Sequence, residues 1–315
     1  MIRRKDNPLT RLNESAHGVY VIAVTPFHAD GALDLESTDR MVDFYLEAGA
    51  TGLTVLGMMG ESQKLTIEES QLIVRRILQR VADRVPVVVG VSAPGFAQMA
   101  ALTQMVMEDG AAGVMIAPPS ALRTDDQIVG YYHQAAGFIG DVPFVLQDFP
   151  LVTNVQISVP VIRRIVADMP SCVCLKHEDW PGLDKISALR ADGFLNRRIA
   201  ILCGNGGMFL PEEMGRGADG AMTGFAYPEM MVDVVRHMRA GQLDRAQDLF
   251  DAYLPLARYE QQPNIGLAVR KYTMARRGII ANAALRRPGG ALNANTIAEI
   301  ERLIQRQEKR LKELS

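Results

Sequence analysis

Lys176 ends the run Ser171-Cys172-Val173-Cys174-Leu175, five residues without a charge. Read as a strand with alternating side chains, the run directs Lys176 to the same side as Cys172 and Cys174. An amine carried into an apolar cavity loses hydration, which disfavours the ammonium and leaves a lone pair able to attack a ketone and form an imine. The competing reading is a strand-end lysine that snorkels to water. A second candidate is the turn Gly57-Met58-Met59-Gly60-Glu61-Ser62, where two glycines around two residues allow backbone N–H groups to converge on a carboxylate. Otherwise it is a strand-to-helix loop whose methionines fill core gaps, with Glu61 a buried hydrogen-bonding partner or a residue of the next helix's first turn.

The third candidate is Gln147-Asp148-Phe149-Pro150. Gln147 can orient a substrate oxygen or a water but cannot carry a proton, so an acid or base here must be Asp148, His177, Glu178 or water. Asp148 reads more readily as an Asx-type turn closing before Pro150. Glu178, in Lys176-His177-Glu178-Asp179, is a candidate contact for a substrate hydroxyl, or else polar rim. Gly204-Asn205-Gly206-Gly207 resembles an anion-binding loop but lacks the G-x-G-x-x-G spacing of a dinucleotide site.

These residues need a scaffold, and the chain repeats one. Eight short apolar runs recur, Val19–Val24, Leu53–Leu56, Val85–Val91, Val114–Ile116, Phe144–Leu146, Val173–Leu175, Ile199–Leu202 and Ala221–Met222, each followed by a turn and a helical pattern. Continuous apolar runs suit parallel strands covered on both faces. Thr66 and Glu69 form a capping box, after which Ile73, Ile77 and Val81 share a face. Gly49, Gly110 and Gly217 stand where helices should end in a left-handed residue. Eight such units predict a (β/α)8 TIM barrel over residues 18–240. Before it, residues 1–17 read as a polar lead-in. After it, residues 241–315 read as a helical extension packed on the barrel, with helices over Asp244–Tyr259, Gly266–Arg277 and Thr296–Leu314, the last capped by Asn295.

Composition narrows the chemistry. The 315 residues carry 34 Lys plus Arg against 36 Asp plus Glu, so no whole-molecule basic field exists to gather nucleic acid or anionic lipid. The cysteines Cys172, Cys174 and Cys203 lie in apolar runs and read as reduced core residues of a cytoplasmic protein. The five histidines are scattered without zinc-binding spacing, which disfavours a metal-dependent aldolase. No membrane span or apolar signal core is visible.

Gly57-x-x-Gly60-Glu61-Ser62, the turn ending at Pro150, Lys176 on the sixth strand, and Gly217-Ala218-Asp219-Gly220-Ala221-Met222-Thr223-Gly224 together resemble the dihydrodipicolinate synthase / N-acetylneuraminate lyase family, from about Gly18 to Arg302. The resemblance implies a class I Schiff-base lyase that needs no cofactor and acts on a small 2-oxo acid. It makes Lys176 the imine-forming residue, gives the substrate carboxylate to the Met58 and Met59 backbone, and has Gly204 and Met222 line the pocket. It also implies a homotetramer built from dimers. Family synthases resemble one another in a Thr-Thr pair where this chain has Met58-Met59, and in Tyr-Asn-x-Pro where it has Gln147-Asp148-Phe149-Pro150. Their partner-subunit tyrosine aligns near Pro119 and Ser120, and their carboxylate-binding arginine near Val152. Lacking both the relay and the clamp, the chain is a poor 4-hydroxy-tetrahydrodipicolinate synthase. Gln147, Asp148 and Pro150, with Lys176, Glu178 and Gly220 to Gly224, look more like the 2-keto-3-deoxy-L-arabonate dehydratases.

The expected chemistry is therefore dehydration of a 2-keto-3-deoxy sugar acid through an imine on Lys176. Gln147 would orient water or the C4 hydroxyl, and Glu178 or the substrate's own carboxylate would relay protons. Retro-aldol cleavage to pyruvate and an aldehyde shares the imine, and a barrel that binds a 2-oxo acid without turnover is the reading of another class.

Overall fold

A computed structural model describes residues 11–180 and 182–314. All eight apolar runs are strands: β1 Gly18–Ile22, β2 Gly52–Val55, β3 Val87–Gly90, β4 Gly113–Ile116, β5 Phe144–Asp148, β6 Cys172–His177, β7 Ala200–Cys203 and β8 Gly220–Thr223. They pair side by side in chain order, and β8 pairs in parallel with β1, closing a (β/α)8 barrel. Around it run α1 Leu35–Glu47, α2 Ile67–Val81, α3 Phe96–Glu108, α4 Asp125–Ile139, α5 Pro150–Thr153, α6 Val159–Asp168, α7 Leu183–Arg190, α8 Leu210–Gly215 and α9 Pro228–Arg239. The extension adds α10 Leu243–Glu260, α11 Gly266–Arg276 and α12 Ala294–Leu314.

Local signals set the element ends. The Thr66 hydroxyl accepts from the Glu69 N–H, the Glu69 carboxylate accepts from the Thr66 N–H, and Ile73, Ile77 and Val81 of α2 are buried. Gly49, Gly110 and Gly217 take φ of +86°, +107° and +99° just past the ends of α1, α3 and α8, a conformation L side chains resist. One cap differs from expectation. Asn293, not Asn295, accepts from the Thr296 N–H at 2.9 Å, and the last helix starts correspondingly earlier.

Two apolar shells flank the sheet. The outer joins strands to helices, and the inner, including Tyr20, Val88, Met115, Val145, Cys174, Leu202 and Met222, fills the barrel. Leu12 and Ala16 belong to the inner shell, and the Leu12 N–H donates to the Ala112 carbonyl at 2.9 Å. The segment read as a polar lead-in thus contributes apolar side chains to the core; its residues 1–10 lie outside those described. On β6 the pairing with β5 shifts beside Phe144 and Val145, and both Val173 and Cys174 join the inner shell while Cys172 joins the outer. Strict alternation fails at that bulge, so Lys176 shares its side with Cys174 but not with Cys172.

The extension is tied to the barrel by a buried ion pair. Lys271 Nζ of α11 lies 2.6 Å from Glu61 Oε1, donates to the Thr25 carbonyl at 2.7 Å and sits 4.5 Å from the Phe27 ring centre. Glu61 Oε2 accepts from Lys64 Nζ at 2.8 Å and from the Arg286 N–H at 3.0 Å. Burial holds the Lys271 amine below the ordinary lysine range, with Glu61 opposing that shift. Breaking such a pair strands a charge, so Lys271→Ala is expected to cost about 3 to 5 kcal/mol in urea unfolding. Lys271→Met combined with Glu61→Leu should recover most of that loss, and equal instability of the single and double variants would refute the pair's role.

Candidate active site

The strands' C-terminal ends open on a cavity of about 350 Å³. Gln147 and Lys176 are register partners on β5 and β6, and Glu178 follows Lys176 by two residues, so the pleat sends all three to the same side. Lys176 Nζ lies 3.0 Å from Glu178 Oε2, with the two side chains 7% and 6% exposed. Gln147 Nε2 donates to the same oxygen at 2.7 Å. A carboxylate that accepts from both an amine and an amide is fixed in position and placed to take a proton from the amine.

The neighbouring residues point the other way. Asp148 is fully buried on the helix side, where its Oδ2 accepts from Lys185 Nζ at 2.8 Å and lies 3.7 Å from His177 Nδ1. That pairing replaces the Asx turn expected before Pro150: the side chain is inside the wall and cannot turn back to its own backbone. Of the acid–base candidates, Glu178 faces the cavity while Asp148 and His177 do not.

Met58 and Met59 line the cavity from a 3₁₀ turn, Met58–Gly60. The N–H groups of Gly60 and Glu61 close on the carbonyls of Gly57 and Met58, both at 3.0 Å, while those of Met58 and Met59 open the turn and have no acceptor within it. The Thr25 hydroxyl holds the turn by donating to the Gly60 carbonyl at 2.6 Å.

Two positions expected to line the pocket lie elsewhere. Met222 is sealed in the inner apolar shell, and Thr223 and Gly224 reach the cavity in its place. Gly204 lies beneath Glu178, where a Cβ would overlap the Glu178 Cγ and Cδ. Its missing side chain makes room for the Glu178 carboxylate. Asn205 and Thr223, named in the sequence only as parts of longer motifs, border the cavity, as do Gln261 and the buried pair Glu260–Arg270, which sequence reasoning missed. The polar cluster Gln261-Gln262-Pro263-Asn264, between two helical patterns, was the available signal.

Among the described residues, no group of three or more His, Cys, Asp and Glu could hold a metal ion, and no helix is long and apolar enough to cross a membrane.

Residues 15–307 match the dihydrodipicolinate synthetase family. The chain belongs to that family. L-2-keto-3-deoxyarabonate dehydratase of Azospirillum brasilense is 31% identical over 92% of this chain and 94% of its own. A 4-hydroxy-tetrahydrodipicolinate synthase of Thiobacillus denitrificans is 30% identical over 77% of this chain and 81% of its own. The crystal structure of a dihydrodipicolinate synthase from Rhodopseudomonas palustris superposes with a TM-score of 0.92 at 53% identity, covering 94% of this chain and 99% of that one. Members of the dihydrodipicolinate synthetase family are lyases, and this chain carries their barrel with its helical extension.

Behind β7, on the side away from the cavity, Glu213 Oε2 is buried without a hydrogen-bond partner among the described residues. Burial pushes this carboxyl from its ordinary 4.5 up to about 7, with His177 pulling the other way. The folded state therefore holds the proton more tightly than the unfolded chain. The stability this confers is full below about pH 4.5 and is lost as pH rises through 7, a difference of roughly 3 kcal/mol. Glu213→Gln should accordingly melt higher than the parent at pH 8, with the gap closing by pH 5. A gap that does not vary with pH would show that Glu213 ionises normally.

Proposed function

We propose that the chain is a class I lyase that dehydrates a 2-keto-3-deoxy sugar acid, such as 2-keto-3-deoxy-L-arabonate, through an imine on Lys176. The observation that carries the reading is the contact of Lys176 Nζ with Glu178 Oε2 at 3.0 Å, with Gln147 on the same oxygen. A nucleophile and an orienting amide on neighbouring strands are thereby assembled with a base one residue past the end of β6.

In this mechanism Glu178 accepts the amine proton as Lys176 attacks the C2 ketone and returns it to the carbinolamine hydroxyl, which leaves as water to give the cationic imine and a free Glu178 carboxylate. The cationic imine withdraws electrons from C3, Glu178 removes a C3 proton, and an enamine forms. The enamine expels the C4 hydroxyl, which leaves as water with the proton Glu178 returns; proton shifts that move two hydrogens from the C5 carbinol to C3 and C4 turn the unsaturated imine into that of the semialdehyde, and hydrolysis frees Lys176. The N–H groups of Met58 and Met59 hold the carboxylate and Gln147 orients the C4 hydroxyl. Gly204 keeps Glu178 in place, and Met222 packs the floor.

Likeness to the Azospirillum dehydratase supports this choice among family reactions. Val152, half exposed at the cavity, stands where the family resemblance puts the synthases' arginine, and cannot clamp a second carboxylate. The cavity's cations Lys176 and Arg270 are each paired with a carboxylate, which suits a substrate whose far end is neutral.

Borohydride with pyruvate should attach one pyruvate to the parent as a reduced imine, its mass less one oxygen atom, and none to Lys176→Ala. Glu178→Gln should still form the adduct, only more slowly, while kcat on 2-keto-3-deoxy acids falls about 10² to 10⁴-fold. Semialdehyde release assigns dehydration, and pyruvate release assigns retro-aldol cleavage. Adduct without turnover of any such acid leaves a binding protein, and absence of the adduct refutes the imine.

A further inference from the structure

One wall of the cavity comes from the loop between α10 and α11, residues 261–265. The loop is anchored, not loose. Arg270 Nε donates to Glu260 Oε1 at 2.5 Å, Glu260 Oε2 accepts from the Ala226 N–H at 3.1 Å, and Arg270 Nη2 donates to the Gly224 carbonyl at 2.5 Å. Side chains of this pair are 3% and 1% exposed, so the loop's two flanks are bolted to the C-terminal end of β8. Gly266 tightens the same corner, since a Cβ there would overlap the Glu260 carbonyl oxygen.

This loop presents amides. Gln262 turns its Nε2 back to the Tyr259 carbonyl at 2.8 Å. The side-chain amide of Gln261 has no hydrogen-bond partner among the described residues, yet it is held in place. It lies against Gly206, at φ +66°, where a Cβ would overlap its Nε2 and Cδ. The Gly206 N–H in turn donates to the Thr223 hydroxyl at 2.8 Å, and Asn205 Nδ2 donates to the Glu178 carbonyl at 2.9 Å, so the surface beneath Gln261 is fixed to the site. A half-buried amide packed on a glycine, with donor and acceptor both unused, suits a ligand group that also donates and accepts. A hydroxyl does both, whereas a carboxylate only accepts and would leave the amide's own acceptor unused.

We propose that Gln261 is a specificity residue of the distal subsite, hydrogen-bonding a substrate hydroxyl beyond the reacting carbons, so that the C-terminal extension reads the sugar-acid tail. The proposal rests on imine formation at Lys176. It is tested at that step, before dehydration and retro-aldol cleavage diverge.

The experiment measures the half-saturating concentration for borohydride inactivation with three acids: pyruvate, 2-oxopentanoate and 2-keto-3-deoxyarabonate. The parent is compared with Gln261→Leu, which keeps the side chain's bulk over Gly206. The variant should need about three- to tenfold more of the hydroxylated acid, the change expected for one neutral hydrogen bond. Its values for pyruvate and 2-oxopentanoate should stay unchanged, which also shows that it folds. Equal weakening for all three acids, or no change for any, would overturn the role of Gln261. Failure of the parent to form an adduct with any acid would overturn the Lys176 reading itself, and this proposal with it.

Discussion

An amine and a carboxylate withdrawn from water and held 3.0 Å apart at the end of β6 set the terms for everything around them. Either charge alone in that position would carry a desolvation penalty of several kcal/mol, and their mutual attraction offsets it only with good geometry and further hydrogen bonds. Gln147 supplies one such bond from the neighbouring strand, and Gly204 supplies the space in which the Glu178 side chain lies. The closed sheet supplies the geometry. Lys176 is paired to strands on both sides and the Glu178 N–H, just past β6, donates to the Asp148 carbonyl of β5 at 2.9 Å, so the separation of the two groups is a property of the barrel.

The same pleat explains how a run as polar as Lys176-His177-Glu178-Asp179 can end a buried strand. Alternate residues go to different compartments. Lys176 and Glu178 enter the cavity, while His177 joins Asp148, Lys185 and Glu213 between sheet and helices. That second compartment is polar but incompletely satisfied: Asp148 Oδ1, His177 Nδ1 and Glu213 Oε2 are all buried without partners among the described residues. Of the three, Glu213 is the one whose carboxyl burial pushes up to about 7.

How far the sequence revealed this depended on the range of each interaction. The strands were legible because burial on both faces leaves an apolar run, and Lys176 because a charge closing such a run is conspicuous. The capping box of α2 and the glycines after α1, α3 and α8 were legible because a cap is a contact between near neighbours. The side of Cys172 was misread because a bulge leaves no mark in composition. Asp148 was given to a local turn because its partner lies 37 residues away, and the Glu61–Lys271 pair spans 210. Such pairs exist only once the chain has closed. Met222 was placed in the pocket from the resemblance, yet on this backbone its neighbours Thr223 and Gly224 reach the cavity.

The extension then takes on a meaning that composition could not suggest. A closed barrel can bring a lysine and a glutamate together on its own, but under the proposed reaction its strand ends would not reach far along a substrate. Residues beyond the eighth strand can. Glu61–Lys271 and Glu260–Arg270 are both buried pairs that cross from barrel loops or α10 to α11, and both hold parts of the cavity wall, the Met58–Met59 turn in one case and the 261–265 loop in the other. Two costly ion pairs at one helix are hard to explain as stabilising devices, since apolar packing would serve at least as well. Their directionality fits a different task, fixing two walls of one cavity relative to each other, so that what α11 holds on one side is in register with what Lys176 does on the other.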